Sequence, residues 1–115
     1  MELEGQSTLL RIFIGERDKI GHKPMYEVIL HAARQQHLAG ATVLRGIMGF
    51  GASSRIHTAA FIDIAEDLPI VLEIVDQEAK INGFIPTVQA LFDEGRRGGL
   101  ITIEKVNVLY YRPKQ

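Results

Sequence analysis

The chain has 115 residues, with Lys plus Arg 13 against Asp plus Glu 14 and a formal net charge of −1. That length predicts one domain over 1–115, and the charge balance gives no electrostatic reason to expect nucleic acid or an anionic membrane as a partner. With no cysteine, disulfides, thiolate metal sites and cysteine nucleophiles are excluded. The acidic start lacks the basic-then-apolar pattern of a signal peptide, and the longest apolar stretch, 68–75, is too short to cross a bilayer. A cytoplasmic protein is the expectation.

Thr8 to Ile14 is rich in β-formers and closed by Gly15, which predicts the first strand. Residues 16–23 read as a loop. Pro24 suits the first turn of a helix, and Met25, Val28, Ile29, Ala32 and Ala33 carry an apolar stripe to about Leu38. Gly40 is placed to end that helix in a left-handed cap. A second strand runs from Ala41 to about Met48. The section 49–67 is irregular, with a short strand at Ala59 to Ile64.

Leu68 to Val75 forms the third strand, and Asp76 can cap the second helix. Ile81, Phe84, Ile85, Val88, Leu91 and Phe92 form its stripe, and Pro86 predicts a kink near Asn82-Gly83. That helix ends at Gly95. The fourth strand, Leu100 to Tyr111, changes its alternation at Glu104-Lys105, which suggests a bulge.

The order β-α-β-β-α-β predicts an α+β, ferredoxin-like sandwich with two helices on one face of a four-stranded sheet. Strands one and three are apolar on both sides, so the face away from the helices needs a cover, and self-association supplies it. On that face Arg11 and Glu73 lie on neighbouring strands. Either they pair within the interface or each is solvated at its rim.

Two glycine turns carry the candidate chemistry: Gly49-Phe50-Gly51-Ala52-Ser53 after strand two, and Gly95-Arg96-Arg97-Gly98-Gly99 before strand four. Such turns let backbone N–H groups converge on an anion, and paired arginines add forked donors. The same glycines also serve as structural punctuation, the reading kept for Gly46. Neither turn is a P-loop.

In sequence, "GATVLRGIMGFG", "LPIVLEIV" and "EGRRGGLITIEKV" resemble the PII-type nitrogen-signalling superfamily over nearly the whole chain. The segments "PMYEVILHAA" and "GLITIEKVNVLYY" look closer still to the PII-like family called domain of unknown function 190. That resemblance implies a homotrimer binding an adenine nucleotide or small anion in clefts between subunits, with no cofactor required. By position it implies Gly49, Phe50, Gly51, Ala52, Ser53, Gly95, Arg96, Arg97, Gly98, Gly99 and Arg112 as ligand-binding residues. It further implies regulation of a transporter or enzyme through the 52–67 loop.

The PII turn carries an aspartate and a lysine that are absent here, which points to a smaller anion or fewer phosphates. Ser53 stands where PII has its glutamine, against 2-oxoglutarate, and no tyrosine occurs in 52–67 for uridylylation.

Other classes find less support. His22, His31, His37 and His57 show no i, i+4 metal spacing. His22 beside Lys23 and His57 beside Arg55 read as solvated loop histidines rather than groups acting in a cleft. A phosphatase or kinase mechanism therefore has little residue support, and no enzyme and no catalytic residue is expected. An RNA-binding sheet needs exposed aromatics, and only Phe13 qualifies. The alternatives are a trimeric metal-binding protein akin to cation-tolerance proteins, or a trimer whose glycines only turn corners.

Overall fold

A computed structural model describes residues 3–51, 56–58, 67–96 and 98–113. Its elements are β1 (Gly5–Gly15), β2 (Lys19–Ile20), β3 (Lys23–Pro24), α1 (Met25–Gln35), β4 (Thr42–Arg45), β5 (Met48–Gly49), β6 (His57–Thr58), β7 (Pro69–Asp76), α2 (Glu78–Gly95) and β8 (Leu100–Val108). The main sheet has the order β4-β7-β1-β8, and every pairing in it is antiparallel. This is the ferredoxin-like arrangement expected from the chain order.

Alternation fixes which side of the sheet the helices cover. Leu10, Ile12 and Ile14 of β1 and Ile70, Leu72 and Ile74 of β7 are buried, and they pack with Met25, Ile29 and Ala33 of α1 and Ile81, Phe84 and Val88 of α2. Residues between them point to the open face, where Leu9, Phe13, Val71 and Val75 are half-buried and Leu44 and Leu100 are exposed. At its centre Arg11 Nε donates to Glu73 Oε2 at 2.9 Å, and Arg11 Nη1 donates to Glu104. The two side chains pair, as one of the two readings of the sequence has it, and Glu104 is a second carboxylate that neither reading names. Glu73 first, then Glu104, holds the Arg11 guanidinium above its ordinary pKa.

Several local expectations are corrected. Residues 16–23 are not simply a loop, since β2 and β3 form a tight hairpin turning at Gly21 (φ +62°). Pro24 precedes α1 with an extended ψ of 133° and is its N-cap rather than its first turn. The helix ends earlier than Leu38, and the left-handed residue is His37 (φ 61°), not Gly40. Leu38 N–H donates to Ala33 O at 3.1 Å and His37 N–H to Arg34 O at 3.1 Å. This pair satisfies the last carbonyls before Gly40 is reached.

Gln77, not Asp76, is the N-cap of α2. Asp76 is fully buried, and its carboxylate accepts from Ala39 N at 2.9 Å and Gln77 N at 2.7 Å. It ties the end of the first helical crossover to the start of the second. Pro86 lies inside an uninterrupted α2, with Asn82 and Gly83 exposed, so water can take the hydrogen bond that proline cannot make.

β4 stops at Arg45, short of Met48. Gly46 N–H still donates to Pro69 O at 2.7 Å in the same register, but proline has no N–H with which to continue the ladder. Met48–Gly49 pairs instead with His57–Thr58. The short strand expected at Ala59 to Ile64 lies outside the described residues.

β8 ends at Val108, before Tyr111, and holds one register against β1 from Leu100↔Phe13 to Val108↔Gly5 without a bulge. The change of alternation has another cause. Ile101 and Ile103 share a face with buried Ile12 and Leu10, whereas Val106 and Val108 share the open face with Ser7 and Gly5. The apolar residues change sides while the backbone keeps its pairing.

Candidate functional site

Three connections converge at one end of the sheet. β1 leaves at Gly15 opposite Pro69, β4 leaves after Arg45 opposite Ile70, and β8 enters at Leu100 opposite Phe13. Both candidate glycine turns therefore belong to this Gly15 end.

At the β4 edge, a Cβ on Gly46 would lie 2.7 Å from Pro69 Cγ, and one on Gly49 would lie 3.1 Å from it. These two glycines admit the proline ring at the start of β7. Gly51 differs, since a Cβ there meets nothing within 4 Å and its φ is not left-handed. Between them Phe50 is 68% exposed. Nothing in the space around Gly51 requires glycine there, and most of the Phe50 surface is open to solvent.

At the β8 edge the same division recurs. A Cβ on Gly95 would meet Met25 Cε at 2.6 Å and Lys19 O at 3.2 Å. On Gly99 it would meet Phe92 Cζ at 2.6 Å and Phe13 O at 2.9 Å. Both are packing glycines, whereas Gly98 faces open space. Arg96 ends α2 in the left-handed region (φ 54°, ψ 27°), where an L residue other than glycine costs about 1–2 kcal/mol. It is exposed and brings a guanidinium to the turn that holds Gly98. Ala52, Ser53 and Arg97 lie outside the described residues.

The two turns do not meet within one chain. They occupy opposite edges of the sheet, three strand spacings or about 14 Å apart. Arg112 is farther away, because β8 runs from the Gly15 end to the Gly5 end before reaching it. There Arg112 stacks over the Tyr110 ring at 5.7 Å, and Tyr111 N–H donates to Glu4 Oε2 at 3.0 Å. One chain thus puts the described residues among those predicted in three places.

Three acidic residues at the Gly15 end escaped the sequence reading. Asp18 is buried; its carboxylate accepts from Gly15 N at 2.9 Å and its carbonyl from Met25 N at 2.8 Å. Asp67 accepts from Arg17 N at 2.7 Å, and its Oδ2 would lie 2.6 Å from a Cβ on Gly15. Glu16 pairs with Arg45 Nη1 at 2.9 Å. The contact between Gly15 and Asp18 is local along the chain, but no local pattern links residue 17 to residue 67. Among the described residues no group of three or more His, Asp or Glu side chains could hold a metal ion. No described helix is long and apolar enough to cross a membrane.

This fold and its relatives are found elsewhere. The chain is 39% identical to a UPF0166 protein of Aquifex aeolicus over 105 residues, covering 91% of this chain and 95% of that one. It is 32% identical to a UPF0166 protein of Methanocaldococcus jannaschii, covering 90% and 92%. Among solved structures it is similar to CPII of Thiomonas intermedia K12, a nitrogen regulatory PII-like protein bound to ADP, AMP and bicarbonate. The TM-score is 0.65 at 13% identity, over 90% of this chain and 88% of that one. A candidate PII-like signaling protein of Thermus thermophilus gives a TM-score of 0.66 at 15% identity, over 95% and 94%. The two structural likenesses show the PII-like fold. The model of the DUF190 family, described as an uncharacterized ACR, matches residues 7–108, and the chain belongs to that family.

Proposed function

We propose that this chain is a non-enzymatic, PII-like ligand sensor that assembles as a homotrimer and binds an adenine nucleotide or small anion between subunits. The observation that carries the reading is the placement of the two glycine turns: same end of the sheet, opposite edges. Neither edge alone makes a pocket from them, but edge-to-edge contact with a second copy would. Gly51 and Gly98 then serve a purpose the isolated chain lacks, letting backbone N–H groups approach a ligand. Phe50 supplies an apolar wall, and Arg96, with Arg97, the charge for phosphate or carboxylate. In a ring that keeps the two ends of the sheet distinct, Arg112 stays at the Gly5 end and is left out of this cleft.

CPII, on the same fold, has been seen with ADP, AMP and bicarbonate, which supports testing those ligands first. Occupancy would be reported to a partner, a transporter or an enzyme, through the 52–67 segment in the cytoplasm. The packing of Gly46, Gly49, Gly95 and Gly99 favours the structural reading for those four positions alone.

Thermal melts with ADP, AMP, ATP and bicarbonate test the proposal. A ligand present at 100 times its Kd stabilises the folded state by about 2.7 kcal/mol, a clear rise in Tm. Arg96→Ala with Arg97→Ala should abolish that rise while leaving the ligand-free melt in place. No rise with any ligand, or a rise the double variant retains in full, rejects the site.

A further inference from the structure

At the Gly5 end of the sheet lies a cavity of about 370 Å³ that the glycine turns do not touch. Its lining includes Leu30 and Ala33 of α1 and Leu38 and Ala41 of the passage into β4, with His31 and Arg34 also contributing. The volume falls in the range of ligand-sized pockets, roughly 300–1,000 Å³, and much of the wall is apolar. Gly40 also lines it. A Cβ there meets nothing within 4 Å, so its missing side chain leaves the cavity open without serving any contact within the chain.

The same end carries a projecting apolar segment on the opposite edge. Beyond β8, Leu109 is 85% exposed and Tyr110 is 70% exposed. The tail cannot turn back to the cavity of its own chain, because the bond from Tyr111 N to Glu4 Oε2 holds it beside the start of β1. Three strand spacings, about 14 Å, separate it from the β4 edge.

We infer that the cavity beneath the end of α1 receives Leu109 and Tyr110 of a second copy of this chain, resting on the trimer proposed above. A ring built by rotation about an axis along the strands sets the β8 edge of each copy against the β4 edge of the next. Such a rotation keeps the two ends of the sheet distinct. The contact that unites the glycine turns at one end therefore brings tail and cavity together at the other. The contact is heterologous, projection into hollow, and it closes because the rotation closes. Gly40 is left without a side chain so that the neighbour's ring can enter, and Arg34 at the wall can meet its aromatic face.

The absence of cysteine makes the test clean. In the full-length chain, His31→Cys and Leu109→Cys are introduced separately and together, and each protein is treated with a short bis-maleimide. One cysteine per chain can join only two chains, whereas two complementary ones can join three. A covalent trimer from the double variant, with nothing beyond dimers from either single variant, is the expected result.

Alongside, Leu109→Ala with Tyr110→Ala, and separately Gly40→Leu, should each raise the concentration for half-assembly by about tenfold or more. Wild-type trimers with unchanged assembly in these variants and no covalent trimer from the double-cysteine chain would overturn the tail contact and leave the sensor reading standing. A wild-type chain that sediments as a monomer at all concentrations would overturn the trimer, and this contact with it.

Discussion

Gly99 and Gly51 are glycine for opposite reasons, and the difference can be measured. A methyl group on Gly99 would drive into the Phe92 ring and the carbonyl of Phe13. Gly99→Ala should therefore destabilise by about 1–3 kcal/mol through overpacking, a fall in Tm of several degrees. Gly51→Ala and Gly98→Ala have open space and should leave the ligand-free melt nearly unchanged while weakening ligand binding. Equal melting losses at all three positions would contradict this division. Arg96 supplies the converse case: Arg96→Gly relieves a left-handed L residue and should raise the ligand-free Tm by the equivalent of about 1 kcal/mol, while lowering affinity for an anion. Sequence shows that glycines cluster at both turns, but it cannot sort them. The sorting depends on Pro69 and Phe92, which reach the glycines only through the fold.

At the scale of elements, α1, β7 and α2 were legible because stripe and alternation report a buried face directly. What sequence missed was decided by contacts remote along the chain. Asp76 looks like a helix cap, yet it is a buried tie between residue 39 and residue 77. Asp76→Ala should cost about 1–3 kcal/mol by orphaning two backbone donors, read as a lowered midpoint in urea. Asp76→Asn should recover part of that loss, since one amide oxygen remains an acceptor. In α2, Gly83 is exposed, with space around it, so Gly83→Ala should stabilise by about 1 kcal/mol from helix propensity alone. β8 shows how alternation misleads: Val106 and Val108 changed faces, and the pattern imitated a bulge that the register excludes.

At the scale of the whole molecule, the open sheet face was foreseen from strands apolar on both sides. Its centre was only half foreseen, since Glu104 joins Arg11 from a strand that the bulge expectation had put out of phase. The ion group is partly solvent-exposed, at 36% for Arg11 and 34% for Glu73, so within one chain it contributes little to stability. Between copies it would be desolvated, and its loss would leave two carboxylates facing each other. Arg11→Ala should therefore shift sedimentation toward monomer while changing the melt of the dilute chain by less than about 1 kcal/mol. Unchanged association would count against burial of this face. The separation of the site residues was not legible at all, because spacing along a chain does not reveal which end of which edge a turn occupies.

That separation has a genetic consequence. When each pocket takes one wall from the β4 edge of one copy and the other from the β8 edge of the next, chains broken on different walls complement each other. Phe50→Ala chains and chains carrying both Arg96→Ala and Arg97→Ala, each without ligand binding alone, should regain one intact pocket in every mixed ring. Unfolding and refolding them together in equal amounts should restore about a quarter of the wild-type sites by random assembly. Two copies carrying the same defect should restore none.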